Sequence, residues 1–412
     1  MFLWCSNRSV FSLSHVALLN FISVITYGII LFLCYNTKYN RRYLMQIFQK
    51  NLSVSMPYEF SPDKSIEETE ILLFDIETTG FSPDISSIYF IGCCYYQNSS
   101  WKLIQFFADD YISEQTILQN FIDFAKDYRV MIHYNGNGFD IPYLQKKLLH
   151  YHMIFSFDSF LQVDLYKKIF PYKKMLSLTN LKQKTIEDFL SLPRVDSYSG
   201  GELIEIYVSY MKDKFGHKTT MQDDMNKLLL HNEEDVCNLI RITSVLAYCD
   251  MFEERQTNCT ITVEDEQVIL SFSLRNPLPV SLTWEIENLS FTASESNAML
   301  RIACARGELK YFYPNYKDYY YLPAEDTAIH KSVAEFVDKN YRVKAKASTC
   351  YTKKNGTFLP QFHGGLTPSF RINYKEKDSF IELTDKFLTD SEKLSEYALI
   401  VLQHLLHTIN RQ

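Results

Sequence analysis

Between Ile71 and Gly80 the chain reads Ile-Leu-Leu-Phe-Asp-Ile-Glu-Thr-Thr-Gly, an apolar run ending in two carboxylates one residue apart. A run this short and this apolar suits a buried strand. Residues two apart in a strand face the same way. Asp75 and Glu77 therefore project from one face, while Phe74 and Ile76 turn towards a core on the other. Carboxylates so close repel each other and are costly unless a cation lies between them. Hard oxygen donors suit magnesium or manganese. Thr78-Thr79-Gly80 then turns the chain sharply, leaving backbone groups accessible beside that cation. An isolated Asp-x-Glu is more often a strand end with two solvated acids, so the remaining chain must supply its partners.

The elements downstream have a clear order. Residues 87–96 and 101–107 are rich in Ile, Tyr, Phe and Cys and read as two more strands. Residues 114–126 place Ile117, Leu118, Phe121, Ile122 and Ala125 at helical spacing. A short strand over 130–134 leads to the Asn135-Gly136-Asn137-Gly138 turn. A helix over 140–151 follows, with Pro142 in its first turn. Residues 158–170 start as a short apolar run around Val163 and become helical. Helices are expected over 178–190 and 202–211, and one or two long ones over 221–248. A three-strand antiparallel meander followed by alternating helix and strand implies an α/β mixed sheet with added parallel strands, flanked by helices.

Two further elements can supply the partners. Asp140 stands at a helix start, where free backbone N–H groups favour a carboxylate. Taken alone it reads better as an ordinary N-cap, but Asn135 and two glycines just before it suggest a loop whose backbone approaches something closely. In His231-Asn232-Glu233-Glu234-Asp235 a helix places His231 and Asp235 one turn apart on one face. An imidazole beside a metal-bound carboxylate can take a proton from an attacking water. Glu233 and Glu234 read as ordinary surface acids.

In this order the pieces resemble the four-carboxylate (DEDD, DnaQ-like) 3′→5′ exonucleases. In detail the chain is similar to the YprB-type ribonuclease-H-like proteins of bacteria, through residues 75–80, 135–144 and 231–236. Asp164-Leu165-Tyr166 and residues 194–201 extend the likeness, so that it covers about 71–246. The resemblance implies a ribonuclease-H-like sheet and two divalent cations, Mg2+ or Mn2+, with no small-molecule cofactor. Asp75, Glu77 and Asp235 would hold one ion, and Asp75 with Asp140 the other. It also implies His231 as proton acceptor, and hydrolysis of phosphodiester bonds at single-stranded 3′ ends of DNA or RNA. Thr78, Thr79 and Asn135 would lie against the nucleic acid. One departure stands out: histidine-type members place His five residues before the last Asp, and tyrosine-type members place Tyr four before. Here His231 has the histidine identity at the tyrosine spacing. A catalytically inactive nucleic-acid-binding or scaffold protein that keeps the fold is the alternative reading. Residues 194–201 precede a helix whose backbone N–H groups could cradle a phosphate, or simply be capped.

The remaining sequence bounds this reading. The formal net charge of −7 gives no general pull towards nucleic acid, so a local basic patch is needed. The nine cysteines form no Cys-x-x-Cys pair, which argues against a zinc site or disulfide framework and for a reducing cytoplasm. Residues 16–35 form an apolar stretch near the ~20 residues a spanning helix needs, followed by Lys38, Arg41 and Arg42. Two expectations stay open for 1–44. It is a genuine N-terminal anchor at the inner face of the membrane, or Met45 is the true start. A cleaved signal peptide fits least, because export disagrees with the cysteine usage. Residues 45–70 read as a polar lead-in, and 71–250 as the nuclease domain.

A smaller α+β domain is expected over 257–412. Residues 259–274 alternate as a hairpin would, Pro277 and Pro279 follow, and more strands run over 280–312. Residues 326–338 look helical, 341–351 look like a strand, and 391–409 form an amphipathic helix. Residues 300–354 hold eleven Lys or Arg against six Asp or Glu, interleaved with aromatics. Bases stack on rings while basic side chains follow phosphates. A strand from Tyr341 to Lys346 would align Lys344 and Lys346 on one side, a candidate nucleic-acid contact. A Tyr-rich core with a charged rim explains the same composition.

Overall fold

The computed structural model describes residues 45–60, 65–216, 221–362 and 365–412. The apolar stretch 16–35, and the choice between an anchor and a start at Met45, lie outside the described residues. Among the described residues, no helix is long and apolar enough to cross a membrane. Contacts divide the chain into two compact units. One holds the described residues up to Lys167 together with Ser191–Thr243, and the other Lys168–Leu190 with Ser244–Gln412.

The first unit is built on a six-stranded mixed sheet: β1 (Met45–Leu52), β2 (Ile71–Thr78), β3 (Ile88–Gln97), β4 (Ser100–Ala108), β5 (Val130–His133) and β6 (Leu161–Asp164). The order is β1-β4-β3-β2-β5-β6, with the first four antiparallel and β5 and β6 parallel to β2. The mixed sheet agrees with the sequence reading. The lead-in does not stay a lead-in, because Met45–Leu52 pairs along the whole of β4 and closes its free edge. Four helices matter for the site: α1 (Glu114–Ala125), α2 (Asp140–His150), α3 (Gly200–Gly216) and α4 (Met221–Ile242).

Alternation along β2 sends Leu72, Phe74 and Ile76 into the main core, where Phe74 meets Phe121 of α1 with ring centroids 5.6 Å apart. Each such fully buried side chain contributes roughly 1.5–3 kcal/mol. The opposite face receives α4. Directly opposed residues share a face, and Asp75, Gly92 and Gln105 form one transverse row across β2, β3 and β4. Gly92 leaves the gap that α4 fills: a Cβ there would lie 2.2 Å from Asn232 Oδ1. Gln105 Nε2 donates to Asn232 Oδ1 at 2.9 Å and to the Leu229 carbonyl at 3.0 Å, fixing the height of the helix. Asn232 is fully buried, and its Nδ2 has no hydrogen-bond partner among the described residues.

The second unit is β-rich. Strands β7 (Thr257–Val263), β8 (Gln267–Ile286) and β9 (Leu289–Ala303) form an antiparallel sheet. Pro277 and Pro279 lie inside β8, at the breaks in its register between Ser273 and Leu282, where missing N–H groups are tolerated. β10 (Ala305–Phe312), β14 (Tyr351–Pro360), β15 (Phe370–Arg371) and β16 (Phe380–Glu382) close a barrel. A third sheet has the order β12-β11-β13, from β11 (Tyr319–Leu322), β12 (Thr327–His330) and β13 (Val343–Lys344). Helix α5 (Ser391–Arg411) buries Leu394, Tyr397, Val401 and Leu405.

Three expectations are corrected here. Residues 326–338 are not one helix: a four-residue turn, with Asp326 at φ 51°, returns the chain as β12, and only Lys331–Ala334 is helical. Residues 341–351 form no single strand: only Val343–Lys344 pair as β13 before Tyr351 opens β14, because a turn closed by Thr349 N–H on the Lys346 carbonyl intervenes. The helix expected over 178–190 begins only at Gln183. The stretch 168–190 joins the second unit, where Trp284 Nε1 donates to the Met175 carbonyl at 3.0 Å and Tyr172 stacks on Phe252.

Gly92→Ala is expected to cost about 1–3 kcal/mol through overpacking against Asn232, read as a lower urea midpoint. Gly92→Ala/Asn232→Ala should regain part of the loss. An unchanged midpoint in the single variant would show that α4 does not depend on this gap.

Candidate functional site

The row that seats α4 also sets the register of its functional side chains. With Asn232 pinned over Gly92, His231 and Asp235 come down beside the end of β2. His231 Nε2 lies 2.9 Å from Asp235 Oδ2 and 3.4 Å from Glu77 Oε1. The four-residue spacing is thus one helical turn, and it permits a direct hydrogen bond between the two side chains. Donor atoms of Glu77, His231 and Asp235 all lie within 4.8 Å of one another.

Asp140 reaches the same place from the other side. β5 pairs with β2 only over Ile71–Leu73, so β2 runs on with an open edge. Asp140 takes that edge: its Oδ1 accepts the backbone N–H of Ile76, between Asp75 and Glu77, at 3.2 Å. The preceding loop is held by Asp164 at the end of β6. Its carboxylate accepts the N–H groups of Asn135 at 3.0 Å and Asn137 at 3.3 Å. Asn135 is left-handed at φ 58°, a conformation Asn tolerates. The close approaches expected at the glycines are internal, since a Cβ at Gly136 would meet the His133 ring and one at Gly138 the Asn135 side chain.

The electrostatics are those of a crowded anionic site. Burial, then the charges of Asp140, Glu77 and Asp235, hold the Asp75 carboxyl well above the usual carboxylate range. Burial, with Asp235 and Asp140, raises Glu77 to about 8 despite the neighbouring His231. Burial raises Asp140 to about 7 against its backbone hydrogen bonds. For Asp235 burial pushes upward as well, but the His231 hydrogen bond and the Arg194 guanidinium outweigh it and leave the group below normal. Burial would lower His231, yet Asp235, Glu77 and Asp196 overcome it and set it at about 9. Three carboxyls raised together at one strand end lack positive charge, and their oxygen donors fit hard divalent cations. Asp75, Glu77, Asp140 and Asp235 would hold them.

Arg194 and Asp196 carry a role that sequence reading did not assign. Asp196 Oδ2 lies 2.7 Å from His231 Nδ1 and 2.9 Å from Arg194 Nη2, while Arg194 Nη1 reaches Asp235 Oδ1 at 2.6 Å. Burial opposes the charge on Asp196, but these two partners and the Tyr198 N–H bring it to about 2. The backbone N–H groups of Val195 and Asp196 donate to Glu234 at 2.9 and 2.8 Å. That corrects the reading of Glu234 as a plain surface acid; Glu233 pairs with Lys50. A buried Arg-x-Asp ahead of a helix was the available signal, but no spacing rule links it to His231. The other candidates fall in two places. Thr78 Oγ1 donates to the Gly80 carbonyl at 3.0 Å and Thr79 Oγ1 accepts the Ser87 N–H at 2.9 Å, so both hydroxyls help to shape the turn. Asn135 is exposed beside Asp140, whereas Lys344 and Lys346 belong to the second unit. Phe81, just past that turn, is 91% exposed, with its ring 6.4 Å from that of Phe139.

Comparison with known proteins follows this geometry. The family model RNase_H_2, of the RNase_H superfamily, matches residues 72–247. No curated protein matches the chain. Among solved structures, the chain is similar to the family B DNA polymerase from the hyperthermophilic archaeon Pyrobaculum calidifontis. The identity is 13% over 49% of this chain and 34% of that one, with a TM-score of 0.31. The chain thus spans about a third of that polymerase. It is also similar to exonuclease I, at 11% identity over 83% of this chain and 70% of that one, TM-score 0.23. An E. coli ExoI–ssDNA complex in zinc-bound form gives 11% over 84% and 72%, TM-score 0.22. At TM-scores this low the site is read from its own side chains and from the family match.

Loading the site with manganese should release protons, because ligands bind metal deprotonated. At neutral pH Glu77, near 8, and His231, near 9, still carry protons. Apparent affinity is therefore expected to rise with pH between about 6 and 9. Calorimetry in buffers of different ionisation enthalpy checks this, and binding at pH 7 with no proton release would contradict the charge balance described.

Proposed function

We propose that the protein is a metal-dependent nuclease, specifically a 3′→5′ exonuclease acting on single-stranded ends, a reading supported by the match of the RNase_H_2 model to residues 72–247. The observation that carries the reading is the convergence of Asp75, Glu77, Asp140 and Asp235 on one strand end, with three of the four carboxyls raised for want of positive charge. The 3′→5′ polarity rests on the resemblance to the four-carboxylate exonucleases.

In this reading the four carboxylates hold two divalent cations, Mg2+ or Mn2+. Such ions, when bound, lower the pKa of water and neutralise the charge that develops on a scissile phosphate. The chain's own residues supply the rest. Asp196 accepts Nδ1–H of His231, so that Nε2, the atom facing Glu77 and Asp235, becomes the proton acceptor for an attacking water once the proton it carries at neutral pH has left on metal loading. Arg194 ties Asp196 and Asp235 to one guanidinium and keeps both oriented. Phe81 offers an exposed ring on which a terminal base can stack.

The binding-only alternative has one observation in its favour: Arg194 and His231 already partner Asp235 and Glu77, as a cation would. They leave Asp75 and Asp140 raised, with Arg194 offsetting only part of the charge around Asp75, and that is why catalysis is the preferred reading.

Oligonucleotides of DNA and RNA carrying a 5′ label, incubated with manganese, test it. The wild-type protein should give a ladder shortening from the 3′ end, and chelation should stop it. Asp75→Ala should leave no activity above background, His231→Ala should lose roughly 10²–10⁴-fold, and Asp196→Asn about 10–100-fold through the loosened imidazole. Equal degradation by wild type and Asp75→Ala would mean a contaminant, and the nuclease assignment would fall.

A further inference from the structure

The small β12-β11-β13 sheet of the second unit exposes a face with no role in the carboxylate site. Opposed residues share a side, so Tyr320 of β11 lies beside Ile329 of β12 and Lys344 of β13. The Arg342 guanidinium lies 4.9 Å from the Tyr320 ring centroid and also donates to the Ala334 carbonyl, which braces the face from within. Next to this pair in sequence, Phe336 is 89% and Tyr341 65% exposed. Residues 331–346 hold five Lys or Arg against two Asp or Glu, on a chain whose net charge is −7. Lys331 pairs with Asp318 at 3.0 Å. Lys339, Lys344 and Lys346 have no ion-pair partner among the described residues.

Exposed aromatic rings invite cover, but unpaired lysines among them disfavour an apolar occupant. A ligand that brings flat rings and regularly spaced negative charge satisfies both. We propose that the surface carried by residues 336–346, with the exposed Phe336 and Tyr341 as stacking rings and Lys339, Lys344 and Lys346 along the phosphates, binds single-stranded nucleic acid. The proposal takes its ligand class from the nuclease reading. Stacking requires unpaired bases, which selects a single strand over a duplex. Of these lysines, Lys344 is held by the pairing of β13 with β11, and Lys346 opens the turn closed by the Thr349 N–H.

Fluorescence anisotropy of the full-length protein with a labelled 20-nucleotide single strand, in EDTA, reads this face whether or not the carboxylates cut. Lys344→Glu/Lys346→Glu is expected to raise Kd about tenfold or more and to flatten the salt dependence by about 1.4 in log–log slope, at ~0.7 per phosphate contact. Phe336→Ala/Tyr341→Ala should weaken binding about fivefold or more for each ring while sparing the slope. Unchanged Kd and slope in the lysine variant would overturn the proposal and leave the face to a protein partner. A preference for duplex over single strand would overturn it too. Binding lost in the variants while the wild-type protein degrades nothing would uphold this face and remove the nuclease reading. Degradation with binding unaffected by the variants would do the reverse.

Discussion

Repulsion among buried carboxylates at the end of β2 is the constraint around which the first unit is arranged. Asp75, Glu77, Asp140 and Asp235 raise or oppose one another's ionisation, and none would choose this neighbourhood on its own account. They stay together because each carrier element is fastened elsewhere. Gln105 clamps α4 through Asn232 and the Leu229 carbonyl. Asp164 holds the loop that delivers Asp140, and Glu234 holds the loop that delivers Arg194 and Asp196. Local cost at the site is met by ordinary hydrogen bonds away from it, as expected where strain is part of function.

Positive charge is shared unevenly among the carboxylates. Arg194 and His231 lean on Asp235, which stays readily ionised, whereas Asp75 has only a distant Arg194 to offset three acids. The asymmetry marks where an added cation gains most, between Asp75 and Asp140. The unusual spacing of His231 belongs to the same arrangement. At one turn from Asp235 its ring lies between a proposed metal ligand and Asp196, and both nitrogens are engaged. Imidazole orientation is then set by contacts on two sides instead of by helix position alone.

The tyrosine-rich second unit places its aromatics in two settings, one hydrogen-bonded and one exposed. Tyr321 and Tyr351 both donate to Asp326, which also meets Lys353 at 2.6 Å, an internal network that ties the β11–β12 turn to the barrel strand β14. Tyr320, Phe336 and Tyr341 take no part in it. Composition alone cannot separate these settings, because exposed rings and a Tyr-rich core draw on the same residues.

Sequence by itself determined the local elements that carry the four carboxylates and the chemistry of those side chains. The period-two run into Asp75 and Glu77, the helical spacing of 114–126 and the one-turn spacing of His231 and Asp235 each report local geometry, which depends on residues a few positions apart. Pairing over long separations was beyond it. Nothing in residues 45–52 says that they will cover β4. A basic alternation at 341–346 does not reveal that a turn stops the strand after two residues. Arg194 and Asp196 read as a helix entrance until α4 is placed against them. Tertiary structure decided these points because a hydrogen bond across thirty or a hundred residues depends on which partner the fold leaves unsatisfied, and that is a property of the assembled sheet and helices, not of any stretch of chain.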